Sequence, residues 1–76
     1  MPGKLYNDIA EKRKIMRDIY GGMMTLTDVA KELGRTRGVA RTWVKSLGLG
    51  SQIGKRIYYE TDEIAKAIVL ARSMCA

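Results

Sequence analysis

The stretch TLTDVAKELGRTRGVARTWVKSLG, residues 25–48, holds two helical patterns on either side of Gly34. In the first, Val29, Ala30 and Leu33 recur at the spacing of one helix face. Thr25 stands where an N-cap belongs, and Asp28 three residues on makes a short-armed capping box. Met24 and Val29 take the two positions of a hydrophobic staple, and Gly34 supplies the left-handed turn that ends a helix. The chemistry predicts a helix over residues 26–33. In the second pattern Thr36 is the N-cap of a helix over residues 37–47. At a step of 100° per residue, Arg37, Gly38, Arg41, Thr42 and Lys45 occupy about 0° to 140°, and Val39, Ala40, Trp43, Val44 and Leu47 about 200° to 340°. One face is basic, small and polar; the other is apolar and belongs in a core, Trp43 included. Ala30 is small enough to let the second helix come close. Two short helices joined at a tight glycine turn predict a helix-turn-helix.

Outward from this pair the patterns change period. SQIGKRIYY, residues 51–59, reads as a β-hairpin whose Gly54-Lys55 suits a type II′ turn, with glycine at the first central position. Tyr58 and Tyr59 alternate across it, so one packs and the other is more exposed. Thr61 then caps a last helix over residues 62–73, with Asp62 and Glu63 at the positive end of its dipole and a stripe of Ile64, Ala67, Ile68 and Ala71. Ahead of the pair, residues 5–20 form a first helix whose apolar side is Leu5, Ile9, Ile15, Met16, Ile19 and Tyr20. Asp8–Lys12 and Lys14–Asp18 are opposite charges four apart. The run Lys12-Arg13-Lys14 reads as a solvated face, and Gly21-Gly22 stops the helix. The expected architecture is mainly α with a small β-hairpin: four helices and one two-stranded wing.

Seventy-six residues make one domain with a modest core. A hydrophobic content of 46% with 29% charged residues belongs to a folded chain rather than a disordered one. No apolar run reaches the length of a membrane span, and the charged N-terminus lacks a signal peptide's apolar stretch, which points to the cytoplasm and to no membrane partner. A single cysteine, Cys75, and no histidine exclude an intrachain disulfide and an ordinary Cys/His zinc site. Cys75 reads as a plain free thiol.

The net charge is +6, and its position matters more than its size. Residues 35–56 hold six basic residues, Arg35, Arg37, Arg41, Lys45, Lys55 and Arg56, and no acidic one. The remaining eight basic and eight acidic residues cancel, so the whole excess lies in this window. A localised excess is the footprint of a face that meets a polyanion.

With these elements in order, MTLTDVAKELGRTRGVARTWVKSLGLGSQIGKRIYYETDEIAKAI, residues 24–68, resembles the excisionase-type winged helix-turn-helix domain, whose fold is shared by the DNA-binding domain of MerR-type regulators. The resemblance rests on TLTDVAKELG, the amphipathic helix to Leu47, the IGKRIYY wing and TDEIAKAI as closing helix. It implies one domain over residues 1–76, with residues 1–22 an additional N-terminal helix and residues 24–73 the family-like core. Arg35 and Ala40 stand where the family usually has aliphatic and larger aliphatic residues. The resemblance implies sequence-specific double-stranded DNA binding without chemistry, the recognition helix in the major groove and the wing on the backbone or an adjacent minor groove. Excisionases guide an integrase or recombinase, MerR-type proteins regulate transcription, and the phage terminase small subunit has a related domain that serves DNA packaging. An integrase or other protein partner and a homo-oligomer on DNA remain open, as does the choice among excision, regulation and packaging.

The candidate DNA-binding residues are Arg35, Thr36, Arg37, Gly38, Arg41, Thr42, Lys45, Lys55 and Arg56. The forked guanidinium groups of Arg37 and Arg41 suit a guanine edge or a phosphate. Lys45 suits phosphate, and Gly38 and Thr42 let bases or phosphates come near. Thr36 reads first as a cap, and Arg35 has Glu32 as an alternative partner. Lys55 and Arg56 sit at the wing tip. No catalytic, cofactor or metal-binding set emerges: there is no histidine or phosphate loop, and the carboxylates fall mostly on helix ends and exposed faces. The competing reading is a protein–protein adaptor that keeps the fold and docks an acidic partner, with RNA binding behind it.

Overall fold

The computed structural model describes the backbone of residues 2–75 and the side chains of residues 7–72. The order is α1 (Pro2–Tyr20), β1 (Met23–Met24), α2 (Leu26–Leu33), α3 (Arg37–Ser46), β2 (Ser51–Ile53), β3 (Arg56–Glu60) and α4 (Thr61–Cys75). The side chains of Leu5 and Cys75 lie outside the described residues. No helix is long and apolar enough to cross a membrane among the described residues.

The α2–α3 pair forms as its local chemistry dictates. Thr25 Oγ1 accepts from the Asp28 N–H at 3.3 Å, and the Thr25 N–H donates to Asp28 Oδ2 at 3.2 Å, a complete capping box. Met24 and Val29, the staple pair, are both fully buried. Gly34 ends α2 at φ 67°, and the Arg35 N–H reaches back to the Ala30 carbonyl at 3.1 Å. Thr36 caps α3, its Oγ1 accepting from the Val39 N–H at 3.3 Å. Ala30 and Ala40 are both buried, so the two helices present small side chains where they pack.

The sheet has three strands, not the two of a lone hairpin. β3 is central, with β1 and β2 antiparallel on either side. Ile53 pairs with Arg56 across the Gly54-Lys55 turn, and Met24 pairs with Tyr59. Gly54 has φ 65° and, among the described residues, no non-glycine residue has positive φ, which fits a II′ turn and excludes I′. β1 is two residues long and has no alternating pattern of its own. It exists because the chain leaving Gly22 runs beside β3, where the Thr61 N–H also donates to the Gly22 carbonyl at 3.1 Å.

The core is built from Met16, Met24, Val29, Ala30, Ala40, Val44, Tyr59, Ile64, Ala65 and Ile68. α1 packs mainly on α4 and α2 on α3. Tyr59 is buried and Tyr58 half-buried, as the alternation requires.

Three faces differ from the pattern of the sequence. On α1, Ile15 and Ile19 are 48% and 63% exposed, while Lys12 and Arg13 turn partly inward. The reason is polar partnering. Lys12 Nζ lies 2.8 Å from Glu32 Oε1 instead of pairing with Asp8, Arg13 Nε donates to the Asp62 carbonyl at 3.2 Å, and Arg17 pairs with the Asp62 carboxylate. Of the basic run only Lys14 is fully solvated. Tyr20 also donates to Glu32, at 2.7 Å. The bond from Lys12 holds the Glu32 carboxyl below its usual range, and the bond to Glu32 pushes the Tyr20 phenol up to about 12. On α3, Ala40 and Val44 are buried, but Val39 and Leu47 are exposed and Trp43 is half-buried against the core. α3 therefore buries a narrower arc than its apolar residues span.

The third difference is Thr61. It is the first residue of α4, entirely buried, and its hydroxyl has no hydrogen-bond partner in the fold. It is not a cap, because α4 begins at Thr61 itself and the capping position falls on Glu60, the last residue of β3. A buried hydroxyl without a partner costs about 1–3 kcal/mol. Thr61→Val keeps the shape and removes that polar group, so it is expected to raise stability by about 1 kcal/mol. A capping threonine would instead lose about 1 kcal/mol on substitution. The sign of the shift in urea midpoint separates the two.

Candidate functional site

α3 and the β2–β3 hairpin stand apart from each other over the buried Val44 and Tyr59, and the space between them is an open groove of about 870 Å³. Arg37, Arg41 and Lys45 line it from α3, because residues four apart on a helix share a side. Lys55 and Arg56 line it from the hairpin. Thr25, Leu26 and Thr27, at the start of α2, complete the wall. The lining has five basic residues and no acidic one. The two ion pairs among the described residues, Lys12–Glu32 and Arg17–Asp62, involve none of the residues that line the groove.

Gly50, which leads from α3 into β2, lies close against β3. Its φ is 122°, and a Cβ there would stand 3.1 Å from Tyr59 Cε1 and 3.3 Å from Ile57 Cγ2. A side chain would crowd Tyr59 and Ile57 on β3, and the left-handed backbone disfavours one in any case.

Five of the nine candidate residues therefore share one groove: Arg37, Arg41, Lys45, Lys55 and Arg56. Arg35, Thr36, Gly38 and Thr42 do not line it; they are exposed on the α2–α3 turn and on α3. Arg35 makes no bond with Glu32, whose carboxylate is taken by Lys12 and Tyr20. Thr36 and Thr42 spend their hydroxyl groups on the helix itself, Thr42 Oγ1 donating to the Gly38 carbonyl at 3.2 Å. Thr25, Thr27, Gln52 and Tyr58 are groove residues that the sequence reading passed over as such. Thr25 and Thr27 lie ten or more positions from the basic row, so no local spacing connects them to it.

Compared with protein-family models, with characterised proteins and with solved structures, the chain matches none. Among the described residues no cluster of His, Cys, Asp or Glu is arranged to hold a metal ion. What the groove offers chemically is cationic hydrogen-bond donors along two walls.

Proposed function

We propose that this chain is a sequence-specific double-stranded DNA-binding protein of the winged helix-turn-helix type. In this reading α2 and α3 are the helix-turn-helix, α3 enters the major groove, and β2–β3 is the wing. The observation that carries it is the groove lined by five basic residues with no acidic residue among its lining. Cations on both walls suit a phosphate backbone passing between helix and wing, with Arg37, Lys45, Lys55 and Arg56 on phosphates. Arg41, in the middle of α3, has the reach to touch a base edge from the groove side. An excisionase-like factor and a small transcriptional regulator use the same interface, as does a DNA-packaging protein of the terminase small-subunit kind. A second reading, a protein–protein adaptor, is favoured by the exposed Ile15 and Ile19 on α1, which DNA does not need.

Competition binding between a duplex selected from a random library and unselected duplex tests the proposal. Arg41→Ala is expected to lose about 1–3 kcal/mol on the selected duplex and little on the unselected one. The Lys55→Ala, Arg56→Ala double variant is expected to weaken both alike. If Arg41→Ala weakens both equally while the wing variant alone loses discrimination, the roles of helix and wing are reversed. If the wild-type chain binds neither duplex, the reading falls.

A further inference from the structure

We propose that α3 recognises the 5-methyl groups of thymine through an apolar strip made by Val39 and the methyl group of Thr42 beside the bare backbone of Gly38. The inference rests on the DNA-binding reading above and names what the helix reads.

The buried pair Ala40 and Val44 fixes which side of α3 faces the core. At about 100° per residue the opposite direction falls on Thr42, flanked by Gly38 and Ser46 and then by Val39 and Lys45. The arginines lie further round, on the groove side. The leading edge of the helix is therefore not its basic row.

The polar atoms on that edge are already used. Thr42 Oγ1 donates to the Gly38 carbonyl at 3.2 Å, and Ser46 Oγ donates to the Trp43 carbonyl at 2.6 Å. With its hydroxyl turned back onto the helix, Thr42 presents its methyl group outward. Val39 beside it is 51% exposed. The strip offers contact surface rather than donors.

Gly38 adds an independent observation. Gly38 is the second residue of α3, where alanine is accepted as readily as glycine. Here its φ is not positive, and an added Cβ would meet only Thr36 Oγ1, at 4.0 Å. Nothing within the fold requires the missing side chain. The open space lets an external surface approach the helix backbone, next to Val39 and Thr42.

The occupant follows from charge and shape together. A helix edge that is apolar, small and bordered by Arg41 and Lys45, in a window with no acidic residue, suits a polyanion that carries apolar groups in a channel of helix width. The thymine methyl is the apolar group that duplex DNA presents in its major groove. A protein partner for this strip would meet the uncompensated row of cations as well.

The test uses the full chain and duplexes selected from a random library, with deoxyuridine replacing thymidine one position at a time. That exchange deletes the methyl and leaves every hydrogen-bonding edge intact. At one or two positions it is expected to weaken binding about fourfold, the value of one buried methyl group. In Val39→Ala or Thr42→Ser, the same exchange is expected to cost less than about twofold, because its partner is already gone. Gly38→Ala is expected to melt no lower than wild type while binding the selected duplex several-fold more weakly. If no duplex is enriched or bound, the DNA-binding reading itself fails. If a duplex is selected and bound but deoxyuridine is neutral everywhere, or costs as much in both variants as in wild type, the methyl reading alone is overturned. Loss of self-association in Val39→Ala by sedimentation, with DNA affinity unchanged, would overturn it in favour of a protein contact.

Discussion

Raising the salt concentration from about 50 to 200 mM is expected to weaken duplex DNA binding by about 150- to 1,800-fold. Five cations line the groove, and Arg35 stands exposed on the adjoining turn. About four to six neutralised phosphates, each contributing about −0.9, give a log–log slope of about −3.6 to −5.4. The exposed position of these side chains makes the effect large, because no carboxylate in the groove has to be displaced first. Removing Lys55 and Arg56 together is expected to make the slope shallower by about 1 to 2, without moving the unfolding midpoint. Fluorescence anisotropy of a labelled duplex across a salt series reads both numbers. A wild-type slope shallower than about −1 would mean that the groove cations do not lie along a phosphate backbone.

What was legible in the sequence divides by the range of the forces involved. α2 has both ends written into it, because Thr25 and Asp28 cap each other and Gly34 turns left-handed, all within ten residues. The same is true of the hairpin, where Gly54 alone selects the turn. The basic row on α3 was legible because four-residue spacing is a property of the helix. β1 was not, since Met23 and Met24 become a strand only by lying beside β3, far along the chain. Thr61 has a capping residue's chemistry, yet the helix starts one residue early and Thr61 falls inside it, with Glu60 of the strand at the cap position. The inner side of α1 misled for another reason. Lys12 and Arg13 have long apolar stems that tolerate partial burial once their charged ends find Glu32 and the Asp62 carbonyl. Ile15 and Ile19 were apolar by type and lie beyond that seam. The groove was half legible: both its walls were visible as basic elements, but their facing each other across Val44 and Tyr59 is a product of the sheet.

Ile64→Ala is expected to cost about 2–5 kcal/mol, and Ile19→Ala less than about 0.5 kcal/mol. Both changes delete the same atoms from a helix, so propensity and chemistry are matched and burial alone differs. Ile64 is fully buried in the cluster that joins α1, α4 and the sheet. Its truncation loses the transfer free energy and leaves a cavity among neighbours that relax only in part. Ile19 is 63% exposed, so its truncation returns little surface to water. Alanine's better helix propensity offsets part of even that small loss. For a chain of 76 residues the total stability is on the order of 5 kcal/mol, so the first change alone brings the fold close to its threshold. Urea unfolding followed by the fluorescence of Trp43 and by helical circular dichroism measures both variants on one scale. With a slope near about 1 kcal/mol/M for a domain this small, Ile64→Ala moves the midpoint by about 2 M or leaves no folded baseline. Ile19→Ala leaves the midpoint nearly in place. Equal losses would mean that α1 packs through its isoleucines, that Lys12 does not reach Glu32, and that α1 sits on α4 by its opposite side.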